Sequence, residues 1–424
     1  MIVDTEELYI EVCDILKSRT TFVIPVSSNI SFHSKKSEVC VLYVYDLENS
    51  KSFLIPINHP DIETNFKVPT DIKSAFVPSK KEALSLGLKP NSLMDLGLLY
   101  YFQTGNKISL ESLRVQSFID RNFWNYPQNT QLIPILKILE YCNNNRKTYI
   151  ETIVDLETLS PEYIEYNRDV IEAYFYLENN GINTSRGLEY TQYNLFTSTG
   201  RPSNTFSGTN YAALNKEDGS RDRFTSRFED GMLVEFDFDA YHLRLISNLI
   251  GYTLPDGSVH EYLGKYYFGK DTLTPEEYQE AKKINFKVLY GGIPTEFKNI
   301  EFFRLIGEFI SKLWKEWKSK TYITTYLYKR RMYKDRLGEM NPQKLFNYYI
   351  QAYETEHNVK VIKRFKKVLD NKETKVVLCT YDSFLFDFNT SDGLETLSQI
   401  KSAMDIPSKV SIGANYGAMI DKLI

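Results

Sequence analysis

An α+β fold in two parts is what this 424-residue sequence predicts. Three observations carry it. Residues 1 to about 160 mix strand, hairpin and helix patterns. An apolar strand at 232–238 and an apolar hairpin at 375–388 bracket a long helical stretch. A Ser-Pro helix start at 158–162 separates the two parts. A chain of this length can bury a full core without disulfide or metal staples.

In order, the first part shows a strand near 22–26 and a hairpin of 39–45 with 52–57 across Asp46-Leu47-Glu48-Asn49-Ser50. Helical spacing of apolar residues follows at 93–101 and 132–141. Ser160-Pro161 opens a helix over 163–179 that stops at Asn180-Gly181, as a glycine C-cap requires. The domain boundary is placed at about 160, giving domains of 1–160 and 161–424. Residues 203–230 are rich in Ser, Asn, Thr and Gly and read as loop.

In the second part, Asp239 is expected to cap the helix after the 232–238 strand, where Leu243, Ile246 and Ile250 share one face. Thr274-Pro275-Glu276-Glu277 combines a capping box with proline in the first turn. Asn341-Pro342 starts a long helix running to about Leu369, and Tyr381-Asp382-Ser383 lies at the turn of the 375–388 hairpin. No internal repeat is present.

The net charge of −4 excludes recognition of nucleic acid by global charge, so such a partner needs a local basic face. Lys312, Lys315, Lys318, Lys320, Lys329, Arg330, Arg331, Lys334 and Arg336, interleaved with Trp314, Trp317, Tyr322, Tyr326 and Tyr328, offer one. The same pattern also describes a solvated helix face over a core stripe. The cysteines, Cys13, Cys40, Cys142 and Cys379, form no close pair, which argues against a structural zinc site and fits a reducing compartment. The acidic N-terminus lacks a signal pattern and no apolar run is long enough to span a membrane. An intracellular, cytoplasmic protein without a membrane partner is expected.

Asp237 and Asp382 each stand at the end of an apolar strand. Asp239 serves better as a cap, which leaves Asp237 without a structural duty, and Asp382 sits where a tight turn would favour Asn-Gly or Asp-Gly. Two carboxylates from separate strands can hold a pair of divalent metals, the arrangement nucleotidyl transfer uses. Between them, Tyr278, Lys282, Phe286 and Tyr290 recur every four residues and form one helical stripe. A lysine in line with aromatics suits a triphosphate, with Phe286 against a sugar and Tyr290 beside a base. The plainer reading is a lysine snorkelling from the core edge. Gly291-Gly292 permits a close backbone turn behind the stripe. His260 offers a further phosphate contact or a structural histidine.

These residues resemble the family A DNA polymerases, which include bacterial DNA polymerase I and many phage replicases. Asp237 with Arg244 is similar to the family's first palm motif, and Thr380-Tyr381-Asp382-Ser383 to the second, normally His-Asp-Glu. Lys282-x-x-x-Phe286-x-x-x-Tyr290-Gly291 resembles the nucleotide-binding finger helix. Thr199-Gly200-Arg201-Pro202-Ser203 is similar to a Thr-Gly-Arg-Leu-Ser segment whose arginine touches the primer end. His260 falls at a triphosphate-binding histidine, and Asn347 with Gln351 at an Asn-x-x-x-Gln pair that reads the minor groove.

The resemblance implies a palm of antiparallel strands with helical fingers, at about 255–340, inserted between the aspartates. It implies a DNA-directed DNA polymerase of the phage type, located in the host cytoplasm if phage-encoded. Two Mg²⁺ ions on Asp237 and Asp382 would serve attack of a primer 3′-hydroxyl on the α-phosphate of a deoxynucleoside triphosphate, with Tyr381 beside the primer-template DNA.

Several positions depart from that family. Tyr278 replaces an arginine one turn before Lys282, leaving a substitute such as Lys283 to be expected. His242 replaces the glutamate at the sugar's 2′ edge, which opens the choice between deoxy- and ribonucleotides. Tyr381 and Ser383 replace the usual His and Glu. The stretch from Asn183 to Ser198 is too short for the family's helical thumb, so a protein partner is expected to supply grip and processivity. The first domain resembles the family's 3′–5′ exonuclease, yet the 22–28 strand has no Asp-x-Glu pair, so no proofreading is expected. The competing functions are a weak or inactive primer-template binding subunit of a replisome and an RNA-synthesising relative.

Overall fold

In the computed structural model, residues 1–29, 33–87, 93–108, 130–156 and 160–422 are described, and the chain divides into two compact units, Met1–Asn179 and Asn180–Ile424. The α+β class predicted from sequence is observed.

The first unit begins with α1 (Glu6–Ser18), β1 (Thr20–Ser27), β2 (Val39–Asp46), β3 (Lys51–Pro56), β4 (Ser74–Val77), α2 (Lys80–Leu86), β5 (Leu93–Asp95) and α3 (Leu96–Thr104). It ends with α4 (Ile135–Leu156) and α5 (Pro161–Asn180). Its sheet has the order β3-β2-β1-β4-β5, antiparallel from β3 to β1 and parallel from β1 to β5. Side chains alternate between two cores. Val23, Leu42 and Val44 join Val12 and Leu16 of α1, while Phe22, Val41 and Tyr43 join Leu99 of α3 and Ile138 of α4. A sheet covered on both faces explains the unbroken apolar runs Phe22–Val26 in β1 and Val39–Tyr45 in β2. Pro25 is tolerated in β1 because the β4 ladder reaches only Phe22, leaving that edge of Pro25 without a ladder bond to lose.

The division falls at the end of α5 and not at its start near 160. Local punctuation identified the helix but not its allegiance. Tyr166 packs against Phe102 with ring centroids 4.8 Å apart, Asn167 bonds the Asp95 backbone from both ends of its amide, and buried Glu178 pairs with Lys80.

The second unit opens with short strands β6 (Ile182–Thr184), β7 (Gly187–Glu189), β8 (Tyr193–Asn194), β9 (Ser203–Phe206) and β10 (Thr209–Asn210). β11 (Met232–Phe238) is followed by α6 (Tyr241–Ile250), α7 (Val259–Phe268), α8 (Pro275–Gly291) and α9 (Glu301–Ser319). The hairpin β12 (Tyr322–Thr324) and β13 (Arg331–Tyr333) leads through α10 (Lys334–Leu337) to α11 (Pro342–Val368). β14 (Lys375–Cys379), β15 (Ser383–Phe388), α12 (Leu394–Ala403), β16 (Ser408–Gly413) and β17 (Ile420–Lys422) complete the unit.

Its sheet is antiparallel with the order β14-β15-β11-β16-β17, so β11 lies in the middle and the helices from α6 to α11 are inserted between β11 and β14. Those helices share a core of Leu243, Ile246, Val259, Leu263, Val288, Phe302, Phe303, Ile306 and Phe346. The expected caps form: Thr274 and Glu277 make the reciprocal capping box, and Asn341 caps α11. Asp239 does not cap α6. The N-cap position is Ala240, in the left-handed region with φ 51°, and Asp239 turns instead toward Arg244 and Lys409.

Candidate active site

The strand register brings the two aspartates together. Asp237 pairs across the ladder with Ser383, so Asp382 lies one residue beyond it at the same end of the sheet. The Phe238 N–H donates to the Asp382 carbonyl at 2.9 Å and ties the two strand ends to each other.

Both ends carry backbone strain. Ala240 and Tyr381 have φ of 51° and 71°, conformations that cost a non-glycine residue about 1–2 kcal/mol. Each is held by its surroundings. Arg244, buried, donates to the carbonyls of Asp239, Pro255, Asp256 and Gly257 and anchors the turn after β11. Asn358 of α11 donates to the Tyr381 carbonyl at 2.6 Å, and the Arg201 guanidinium lies 3.8 Å from the Tyr381 ring centroid.

A cavity of about 280 Å³ opens at this sheet end, lined by Arg201, Asp237, Asp239, His242, His260, Tyr278, Lys282, Phe286, Asp382 and Lys409 among others. Helix α8 supplies one wall through the stripe anticipated from sequence. Its core face is the adjacent one, with Ala281, Asn285 and Val288 buried, while Lys282 and Phe286 are exposed toward the cavity. Lys282 therefore does not snorkel from the core. The Tyr290 side chain lies outside the described residues.

Burial first, and then the charges of Asp382 and Glu235, push the Asp237 carboxyl up to about 7. Asp382 is also raised, chiefly by burial, with Glu354 adding to the push while Arg201 and His242 oppose it. Crowded carboxylates of this kind favour a bound cation or a shared proton. Among the described residues no group of three or more His, Cys, Asp or Glu converges into a metal cage. The donor set is two hard oxygen ligands, which fits Mg²⁺ whose remaining positions are filled by phosphate and water.

His260 is buried, and its Nδ1 lies 3.0 Å from the Asn285 amide nitrogen, while Asn285 also accepts from the Tyr267 hydroxyl. Burial lowers its pKa to about 4, so the imidazole is neutral near pH 7. With Asn285 donating to Nδ1, the proton resides on Nε2, leaving that nitrogen as a donor.

Glu354 of α11 was not singled out by sequence reasoning. It is 1% exposed, its Oε2 lies 2.7 Å from His242 Nε2, and its Oε1 lies 3.2 Å from the Arg201 guanidinium. One buried carboxylate thus fixes two cavity-lining side chains. Its only sequence signal is its place three residues after Gln351 on the same helical face. Lys409 and Asp239 were likewise missed. Lys409 pairs across the ladder with Asp237, and its Nζ is 3.4 Å from Asp239. Lys283, the expected substitute for the cation missing at Tyr278, is 75% exposed, pairs with Glu280 at 3.5 Å and does not line the cavity. Asn347 and Gln351 are half-buried on α11 and, like Tyr381, lie outside the cavity lining.

Several of the basic residues of α9 to α10 lie over aromatic rings in the structure: Lys318 over Trp314, Lys334 over Trp317 and Arg331 over Tyr322, at 5.4, 5.6 and 4.7 Å. Arg330 is buried and donates to the Thr199 carbonyl, so it belongs to the interior and not to a basic surface.

No protein-family model matches the chain, and no curated protein matches it in sequence. Among solved structures it is similar to the POL domain of Pol1 from M. smegmatis, determined in complex with DNA primer-template and dNTP. The TM-score is 0.74 at 13% sequence identity, over 98% of this chain and 99% of that one. The fold is that of a polymerase domain. No helix among the described residues is long and apolar enough to cross a membrane.

Proposed function

We propose that the second unit is a template-directed DNA polymerase that joins deoxynucleotides to a primer 3′-hydroxyl. The observation that carries this is the cavity itself. It unites Asp237 and Asp382 from two neighbouring strands with Lys282, His260 and Phe286 from two helices, in a fold shared with a solved polymerase domain.

Asp237 and Asp382 hold the divalent ions, and Mg²⁺ bound there supplies charge neutralisation and a more acidic hydroxyl. The residues around them do the positioning. Lys282 and the Nε2 proton of His260 bind the triphosphate, and Phe286 and His242 border the sugar. Arg201, stacked on Tyr381, steadies the primer end. Asn347 and Gln351 extend the same face of α11 for contact with the duplex minor groove. The new bond joins the primer 3′ oxygen to the α-phosphorus, the α–β bridge breaks, pyrophosphate leaves and the hydroxyl proton passes to solvent.

The first unit is proposed to be a nuclease-like domain without activity. Its sheet order, with one parallel and one antiparallel half, supports the resemblance, and β1 (Thr20–Ser27) carries no carboxylate. Residues 183–198 contain short strands and no helix, in keeping with a missing thumb, and a partner protein is proposed to supply grip. The test is extension of a 5′-labelled primer on a defined template. Addition of the complementary deoxynucleotide alone, stopped by EDTA, supports the reading. Tight primer-template binding without addition would leave the scaffold function in its place.

A further inference from the structure

An incoming triphosphate brings several negative charges into a cavity that already holds Asp237, Asp239 and Asp382. Cations in its walls must meet them. His260 is neutral, and the Arg201 guanidinium is engaged by the Tyr381 ring and Glu354. Lys282 approaches from α8. The facing cation is Lys409, on β16 beside Asp237.

Lys409 is tethered but not committed. Its side chain is 63% exposed and its Nζ is 3.4 Å from Asp239, a weak and solvated ion pair. Asp239 also lies 3.7 Å from Arg244, so it keeps a counter-charge when Lys409 departs. Tyr278 of α8 lines the same cavity as Lys409. Resting on the nucleotidyl-transfer reading, we infer that Lys409 is a second triphosphate-binding cation, supplied by the sheet and delivered from Asp239 to the polyphosphate, which it clamps against Lys282.

The test is single-nucleotide incorporation of dATP opposite thymine by Lys409→Met, Lys409→Arg and the double variant Lys409→Met/Tyr278→Arg, with KM, kcat and primer-template affinity measured separately. Lys409→Met is expected to raise KM for dATP roughly tenfold, the loss of one charge-assisted contact, with primer-template affinity unchanged. Lys409→Arg recovers most of the loss, and Tyr278→Arg recovers part of it by restoring a cation from the facing wall. An unchanged KM in Lys409→Met overturns the inference, as does an equal loss of primer-template affinity, which marks a general charge effect. Absence of incorporation by the wild type defeats the nucleotidyl-transfer reading instead. Calorimetric titration of dATP with Mg²⁺ then decides on Lys409: weaker binding by Lys409→Met supports it, and equal binding overturns it.

Discussion

Glu354→Ala removes a buried carboxylate that pairs with both His242 and Arg201. Glu354 is 1% exposed, while the side chains of its partners are 16% and 31% exposed. Removing one member of a buried ion pair costs about 3–5 kcal/mol, and the partial exposure of both partners argues for the lower end, near 3 kcal/mol. For a unit of this size each kcal/mol is worth about 2–4 °C, so the melting temperature of the second unit falls by roughly 6–12 °C. Differential scanning calorimetry reads this directly. Glu354→Gln keeps the volume and one acceptor and loses about 1–2 kcal/mol. A double-mutant cycle with His242→Ala gives a coupling of roughly 1–3 kcal/mol. A melting temperature within about 1 °C of wild type for Glu354→Ala, or a coupling near zero, refutes the argument that this carboxylate fixes the His242 and Arg201 side chains.

Other outcomes follow from the same geometry. His260 has its pKa lowered from 6.5 to about 4 by burial, so the folded state resists the proton that the unfolded chain accepts. Stability is therefore full above about pH 6.5 and falls as pH drops toward 4, by at most about 3 kcal/mol; denaturant midpoints for wild type and His260→Gln should converge over that window, and parallel curves would contradict it. Ala240→Gly relieves a positive φ and is expected to stabilise by up to about 1 kcal/mol, read as a higher urea midpoint; a lower midpoint would show that the turn is not strained. Lys282→Ala should weaken dATP binding by about 10–100-fold while sparing primer-template affinity, and a selective loss of DNA binding would remove Lys282 from the triphosphate site.

What the sequence made legible is what is local. Asp237 and Asp382 could be picked out because each lacks a competing duty within its own strand, and the stripe of Tyr278, Lys282 and Phe286 because helical spacing places them on one face. The capping box at Thr274 and the cap at Asn341 are complete within a few residues, and both form. Contacts made across the fold were not legible. Glu354 meets His242 from a helix more than a hundred residues later, and Lys409 meets Asp237 only through the β11–β16 ladder. Asp239 was misread for a related reason: a cap is judged from neighbours in sequence, whereas Arg244 and Lys409 claim this carboxylate in three dimensions. The unit boundary moved to the end of α5 because the contacts of Tyr166, Asn167 and Glu178 are all long-range.

The central claim is that Asp237 and Asp382 form one metal-dependent nucleotidyl-transfer site. Its most direct test is the rate constant for adding one complementary deoxynucleotide to a primer in the presence of Mg²⁺, measured for wild type, Asp237→Asn and Asp382→Asn. Each substitution should lower that rate by at least about 10³-fold, as expected when a group supporting several kcal/mol of metal-borne charge stabilisation is lost. Both variants should keep the fold and bind primer-template. Addition at the wild-type rate by either variant would contradict the account.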